Sequence, residues 1–413
     1  MDKKLNGVFF VRLFWITIIS SFLAWFIALL INPQGRQLDL FFLRMGDFWA
    51  DATNTTGLAS CLDPYHNDTI GLENAVYPPL AYVLFEGLAF VSVVPKGTYL
   101  QYYYQPIWTF LFVIALIVIL VLLFVVCLKQ FKAFCAFDGL MLSIALCLSY
   151  PMLFVIERGN ILILSSFAVA VYLFYYDSKS KWKKEIAIIC LSLAIGIKLS
   201  PAVLGVLLIN KKDWKTLCRA FLYGIFFIFF PFLFFDGDIQ TNLLQMVSNI
   251  QLHFKHYSEF IGTGLISSYT KYGLIIKGEQ FQITPITYHF FKVLKILVSI
   301  LLSLGIFFLQ EKWKKALNAT LILLILPSVS GAYCMIYMIP VTVLFMSSLI
   351  QDKITVDKLI ILLSLIMIFF VYRCDFSIFF NFSFAIPVLV IMASNYSIKS
   401  LRNSKKFKIC DEW

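Results

Sequence analysis

Long apolar runs separated by short basic tracts dominate the chain. A helix needs about 20 mainly apolar residues to cross the roughly 30 Å of bilayer hydrocarbon. The runs therefore predict an all-α, polytopic membrane protein with a bundle of about 12 transmembrane helices and both termini in the cytoplasm. The predicted spans are roughly 10–32, 106–128, 138–156, 160–176, 184–198, 199–210, 216–235, 288–309, 315–328, 333–350, 358–373 and 376–396.

The basic tracts decide the orientation, because short cytoplasmic loops are enriched in Lys and Arg. Tracts such as KSKWKK, KKDWK and EKWKK fall on the cytoplasmic side only if the run at 77–95 does not cross the membrane. Glu86 and the Pro-Pro start also favour an interfacial helix for this run. The prediction is that the acidic segment 33–105 and the polar segment 236–287 lie outside.

Two of the predicted spans are unusually short. The run EIAIICLSLAIGIKLSPAVLGVLLINKK has basic flanks at both ends, so the chain must turn near KLSP. A dozen helical residues cover only about 18 Å, less than the hydrocarbon thickness. Lys198 and Pro201 are therefore expected below the outer surface in a protein-lined recess, where irregular backbone is tolerated.

Composition agrees with the membrane interpretation. Of the 413 residues, 61% are hydrophobic and only 14% are charged, against about 25% in soluble domains. The net charge of +11 follows the loops and matches no nucleic-acid motif, and the nine cysteines are scattered without a CxxC pair. The chain is taken as one integral membrane domain, 1–413, made of a module at 1–235, the outer loop 236–287 and C-terminal helices at 288–413.

Polar residues converge on the predicted outer face. The turns ERGN (157–160), KLSP (198–201) and PSVSGAYC (327–334) all open there, beside the acidic stretch MGDFWAD (45–51). Arg158 and Lys198 are two cations at depth, and charged residues there usually face a cavity, pair with each other or contact a ligand. A lipid-linked phosphate suits such a recess, since Arg offers a planar fork and Lys a point charge. Structural alternatives are that Arg158 pairs with Glu157 or Asp51 and that Lys198 snorkels.

The order of these motifs resembles glycosyltransferase family 87, membrane enzymes of the GT-C class that use polyprenyl-phosphate sugars such as polyprenol-phosphate mannose. The family has an outer-loop Asp, a PY about 17 residues later, then YPPL, a GQxN-like turn and KxxP. Here the corresponding stretches are GDFWAD, DPY, YPPLAYVLF, ERGN and IKLSP, and Asp47 lies 17 positions before Pro64. The resemblance covers roughly 10–220 well and the remainder loosely.

The resemblance implies roles for individual residues. Asp47 is the expected general base and Asp51, one helical turn away, is the reserve; Arg158 and Lys198 are expected to bind the donor phosphate. The expected substrate-binding residues are Asn160, Tyr65, Tyr77 and Tyr333. Two departures matter: the family's Gln is absent from the ERGN turn, and the late outer turn has Tyr333 and Cys334 where many members carry Trp and His.

The resemblance also implies the reaction. A hexose moves from a polyprenyl-phosphate donor to a glycolipid or surface-glycan acceptor with inversion, on the outer face of a bacterial plasma membrane. Because the donor carries its own leaving group, no nucleotide-binding motif is required. No metal or other cofactor is expected. Alternatives are a polymerase or ligase of lipid-linked oligosaccharides and, less favoured, a flippase or transporter. The loop 236–287 has no Arg, which disfavours the ligase.

Overall fold

All the regular elements in the described part of the chain are helices. The computed structural model describes residues 3–31, 50–59, 63–66, 75–92, 106–130, 136–257, 284–327, 332–371 and 375–404. Several of the helices are long and apolar, so the predicted class of an all-α, multi-pass membrane protein is confirmed.

The described α-helices are numbered here in chain order. They are α1 (Lys3–Ile31), α2 (Ala50–Ala59), α3 (Pro79–Ser92), α4 (Pro106–Gln130), α5 (Ala136–Cys147), α6 (Tyr150–Glu157), α7 (Leu162–Tyr175), α8 (Lys181–Ile197), α9 (Val206–Asn210), α10 (Trp214–Phe229), α11 (Ile239–Tyr257), α12 (Pro285–Phe308), α13 (Lys312–Ile325), α14 (Met338–Gln351), α15 (Val356–Phe369) and α16 (Asp375–Arg402). Short 3-10 helices occupy Ser200–Gly205, Phe230–Phe234 and Ala332–Tyr337.

Five helical stretches of the described residues are long and apolar enough to cross a bilayer. They are Gly7–Ile31, Trp214–Phe234, Pro285–Phe308, Tyr333–Gln351 and Phe384–Arg402. The pair α5 and α6 makes a sixth if it is counted as one span bent by 48°. The bend lies at Leu148–Ser149, just before Pro151 in the first turn of α6, where a proline fits a helix start. The predicted count of about 12 spans stays a prediction.

Contacts fix how the helices run relative to one another. At the start of α8, Lys184 pairs with Asp213 at the start of α10, their Nζ and Oδ2 atoms 2.5 Å apart. Nearby, Lys312 at the start of α13 pairs with Asp177 just beyond α7. We call this the basic end of the bundle. At the far end of α8, about 25 Å away for its 17 residues, Lys198 contacts Cys334. We call that the site end.

An ion pair with a buried carboxylate ties the first helix to the bundle. Arg12 in α1 donates from Nε and Nη2 to the two carboxylate oxygens of Asp138 in α5, each at 2.8 Å. The Asp138 side chain is only 3% exposed, and a carboxylate so placed needs a partner. Sequence reasoning did not single out this pair, although both residues interrupt apolar runs.

The centre of the molecule is α14, whose span is 89% buried while the spans that contain α10 and α12 are mostly exposed. Exposed apolar residues such as Phe221 and Phe290 suit a lipid-facing surface. On the inner side, Gly7 of α1 lies against the backbone of α14, where an added Cβ would sit 2.2 Å from the Leu349 carbonyl oxygen. Only glycine permits this close approach.

Candidate functional site

The ERGN turn ends α6 in a glycine-containing cap. The Gly159 amide donates to the Ile156 carbonyl at 2.9 Å and the Asn160 amide to the Val155 carbonyl at 3.0 Å. This is the Schellman arrangement, which needs a left-handed residue, and Gly159 supplies it with φ of 61°. The turn therefore sets Arg158 and Asn160 on either side of a residue that points no side chain into the site.

Asn160 is the hub of the site and is 2% exposed. Its Oδ1 accepts from the Leu162 amide at 2.9 Å, so it also supports the start of α7. Its Nδ2 donates to Asp51 Oδ2 at 2.6 Å and to the Tyr77 hydroxyl at 3.1 Å. Because both amide atoms have fixed partners, the side chain holds three separate segments together.

Asp51 in the first turn of α2 is bound on both oxygens. Arg158 donates to Oδ1 from Nε at 3.1 Å and from Nη2 at 2.5 Å, while Asn160 takes Oδ2. The backbone reciprocates, since the amides of Asp51 and Ala52 donate to the Arg158 carbonyl at 3.1 and 3.3 Å. The N-terminus of α2 is thus docked on the C-terminal cap of α6. The structural alternative considered for Arg158, pairing with Asp51, is what the structure shows.

Tyr77 lies at the turn before α3. Its hydroxyl accepts from Asn160 and its carbonyl accepts from the Tyr65 hydroxyl at 2.9 Å. Burial raises the pKa of the Tyr77 hydroxyl, and the negative charge of Asp51 raises it further. The phenol therefore stays protonated and keeps a hydroxyl proton to donate. Pro78 and Pro79 restrict the backbone that presents it.

Tyr65 sits behind Tyr77 with only 2% of its surface exposed. Its ring packs edge-on against Tyr82 with centroids 5.5 Å apart, and it also contacts Phe232 and Phe235. Burial raises the pKa of its hydroxyl. In this setting Tyr65 orients the Tyr77 backbone, and its predicted contact with substrate stays untested.

Lys198 forms the second half of the site. It caps the C-terminus of α8 in an extended conformation, and its Nζ donates to Cys334 Sγ at 3.4 Å. The same ammonium lies 5.5 Å from the centroid of the Tyr333 ring, within cation–π range. None of the carboxylates in the described residues lies at salt-bridge distance from Lys198.

The two halves adjoin each other. Tyr333 lies within electrostatic range of Tyr77, Asp51 and Arg158, and its ring packs against Phe154 of α6 with centroids 6.1 Å apart. The turn that carries Tyr333 therefore meets the ERGN turn and the KLSP turn at one place, as the sequence motifs predicted.

The structure brings together seven of the eight residues singled out from the sequence, with Tyr65 in a supporting layer. They are Asp51, Arg158, Asn160, Tyr65, Tyr77, Lys198 and Tyr333. Asp47 lies outside the described residues. Sequence reasoning missed two contributors, Cys334 as a contact of Lys198 and Tyr82, whose hydroxyl accepts from the Tyr77 amide at 3.3 Å. The signal for Cys334 in the sequence was its position directly after Tyr333, which was already a candidate.

Comparison with known families identifies the chain. The model of glycosyltransferase family 87 matches residues 75–331, more than half of the sequence. The chain belongs to glycosyltransferase family 87. It is therefore a membrane glycosyltransferase of the GT-C type, which confirms the predicted family and enzyme class. The search of curated proteins gave no match to the chain.

The region matched by the family 87 model contains only some of the site residues. It includes Tyr77, Arg158, Asn160 and Lys198, and it leaves out Asp47, Asp51, Tyr65 and Tyr333. As a glycosyltransferase the protein requires a sugar donor and an acceptor. The hydrogen-bonded cluster at the site end is the candidate place for both.

Proposed function

We propose that this membrane glycosyltransferase transfers a hexose from a polyprenyl-phosphate donor to a lipid-linked or surface-glycan acceptor, with inversion at the anomeric carbon. The acceptor hydroxyl attacks that carbon, a carboxylate takes the hydroxyl proton, and polyprenyl phosphate leaves with the bonding electrons. No metal is assigned a part in this reaction.

The observation that carries the proposal is the position of Lys198. Its ammonium faces a thiol and an aromatic ring, and none of the described residues places a carboxylate in contact with it. A cation with neutral neighbours in a partly buried site favours an anionic ligand, and phosphate is the anion that this chemistry supplies. Lys198 is therefore our principal residue for the leaving phosphate.

Arg158 has a second role in this proposal. Its Nε and Nη2 already hold Asp51, so a donor phosphate would share the guanidinium with that carboxylate. We assign to Arg158 the positioning of α2 first and contact with the phosphate second.

The hydrogen bonds of Asp51 bear on which of the two candidate aspartates acts as the base. Both oxygens of Asp51 accept hydrogen bonds from Arg158 and Asn160, and an oxygen so engaged is poorly placed to take a proton. Asp47 lies four positions before Asp51 in the chain, where the motif of the family places its outer-loop aspartate. We propose Asp47 as the general base and Asp51 as the group that anchors the segment bearing it.

The site is proposed to face outside. The basic tracts of the described residues gather at the opposite end of α7, α8 and α13, and basic loops favour the cytoplasm. This arrangement supports the outward orientation in a bacterial plasma membrane and is compatible with about 12 spans. The helix α3 packs on α2 and α8, which suits the interfacial interpretation of 77–95.

The test is a donor panel. Purified protein in detergent is incubated with radiolabelled polyprenyl-phosphate hexoses and a membrane lipid extract. Donor-dependent labelling of a glycolipid supports the proposal and names the sugar. If every monophosphate donor stays intact while diphosphate-linked oligosaccharides are consumed, the donor assignment is wrong and the ligase alternative replaces it.

A further inference from the structure

A charged cavity lies at the basic end, about 25 Å along α8 from the candidate site. Its volume is about 300 Å³. Its lining includes three lysines, two aspartates and a tyrosine: Lys184, Lys211, Lys212, Asp177, Asp213 and Tyr176. Nothing in the glycosyl transfer proposed above uses this cavity.

The acidic groups of the cavity are already neutralised. Asp213 accepts from Lys184 at 2.5 Å and Asp177 accepts from Lys312 at 2.5 Å. The Lys184 ammonium also holds the pKa of the Asp213 carboxyl below its usual range. The Asp213 carboxylate therefore stays ionised at neutral pH, and each of the two carboxylates has a lysine partner.

The remaining lysines leave an excess of positive charge. Lys211 and Lys212 have exposed side chains with no carboxylate partner in the part of the chain described. Lys315 lies nearby, within electrostatic range of Lys211 and Asp177, and its Nζ donates to the Asn210 Oδ1 at 2.8 Å. With Lys312 counted as the partner of Asp177, four lysines stand against two aspartates, which leaves a surplus of two positive charges at the cavity.

The backbone under Lys212 points to a role for its side chain. Residues after α9 form a Schellman turn, in which the Lys212 amide donates to Ile209 at 2.9 Å and the Asp213 amide to Leu208 at 3.4 Å. Lys212 occupies the left-handed position with φ of 54°, where glycine is the usual residue. Strain of this kind persists where function requires it.

Two exposed tryptophans give the depth of the cavity. Trp182 is 80% exposed and Trp214 is 57% exposed. In the chain, Trp182 lies two residues before Lys184 and Trp214 directly follows Asp213. Exposed tryptophans at the ends of membrane helices mark the headgroup level of the bilayer. The cavity therefore opens where lipid phosphates are concentrated.

We propose that this cavity binds the phosphate of an anionic phospholipid headgroup in the leaflet opposite the candidate active site. Lys211 and Lys212 supply the charge, and Lys184 lines the same cavity. The bound lipid pins the starts of α8, α10 and α13 to the membrane surface. Basic pockets between helices are a recognised means of binding such headgroups.

The test is to count bound lipid on the purified full-length protein by native mass spectrometry. The protein is delipidated in neutral detergent and titrated with phosphatidylglycerol or with zwitterionic phosphatidylcholine. We expect one saturable phosphatidylglycerol site. The double variant Lys211→Ala/Lys212→Ala should bind the lipid about thirtyfold more weakly, because each basic residue contributes about fivefold to the affinity. The matched control Lys353→Ala/Lys399→Ala removes two exposed basic charges outside the cavity and should bind normally.

A second variant separates binding from folding. Lys212→Gly relieves the left-handed strain, so it should unfold at a higher temperature than wild type without lipid and yet bind phosphatidylglycerol about fivefold more weakly. Equal loss of binding in the control pair would overturn the proposal, because attraction would then be general. Saturation of the site by millimolar inorganic phosphate alone, with no preference for the lipid, would overturn the lipid assignment.

Discussion

The pairing of Arg158 with Asp51 gives the most quantitative prediction. The perturbation is a double-mutant cycle that combines Arg158→Ala with Asp51→Ala. If the ion pair docks α2 on the end of α6, each single substitution leaves a charged partner without its main contact, while the double substitution leaves none. The three variants should therefore not be additive.

The magnitude follows from the contacts. Arg158 makes two charge-assisted hydrogen bonds to one oxygen of Asp51, and the two side chains are 18% and 16% exposed. Taking the lower value for each bond, since they share an acceptor, Arg158→Ala should cost about 3 kcal/mol of unfolding free energy. The coupling energy between the two sites should be about 2 kcal/mol.

The assay is equilibrium unfolding in mixed micelles of a mild detergent and SDS, followed by tryptophan fluorescence. A matched cycle on Arg219 and Glu185, an ion pair at the basic end with 46% and 22% exposure, should give no more than about 1 kcal/mol. A coupling below about 0.5 kcal/mol for Arg158 and Asp51 would refute the docking role. Arg158 would then be available chiefly for the donor.

Four further results are expected. Lys198→Ala should raise the donor KM at least tenfold with little change in the acceptor KM, and Lys198→Arg should recover part of the loss; equal effects on both substrates would contradict the phosphate role. Asn160→Ala should lower stability by about 3 kcal/mol and abolish transfer, whereas Asn318→Ala, another buried amide (1% exposed), should cost stability and leave the donor KM unchanged. The pKa of Asp213 is lower in the folded protein than in the unfolded chain. The ionised carboxylate therefore stabilises the fold at pH values above its unfolded pKa, and this stabilisation is lost as the pH falls through the lower, folded pKa. Asp213→Asn should therefore lower the stability of the protein at neutral pH and have little effect on it at acid pH, as unfolding measured over a pH series would show. A reporter fused after residue 100 should read outside, and a cytoplasmic signal would overturn the interfacial assignment of 77–95.

The length of the apolar runs and the charge of the loops were enough to predict the all-helical membrane class. The exact span lengths were not predictable, since apolar composition does not reveal where a helix bends. The predicted span 138–156 is two helices joined at Leu148–Ser149, and the predicted span 199–210 is a 3-10 helix followed by the short α9. Proline positions at 151 and 201 were the local signals.

The candidate site was predictable as a set of turns and less so as a set of contacts. Gly159 between two polar residues indicated a tight turn, and the structure places a left-handed cap there. The sequence left open whether Arg158 pairs with Asp51 or binds phosphate, because that choice depends on how α2 docks in three dimensions. The contact of Lys198 with Cys334 joins residues 136 positions apart, and no local pattern reports such a distance.

The proposed role of Asp47 as the general base can be tested by one comparison of transfer rates. Wild type, Asp47→Asn and the control Asp236→Asn, which removes an exposed carboxylate beyond α10, are assayed side by side with the donor that the panel identifies. We expect Asp47→Asn to be folded and membrane-inserted but at least a thousandfold slower, while Asp236→Asn keeps the wild-type rate. Transfer by Asp47→Asn at a rate near that of wild type would contradict the assignment of Asp47 as the general base.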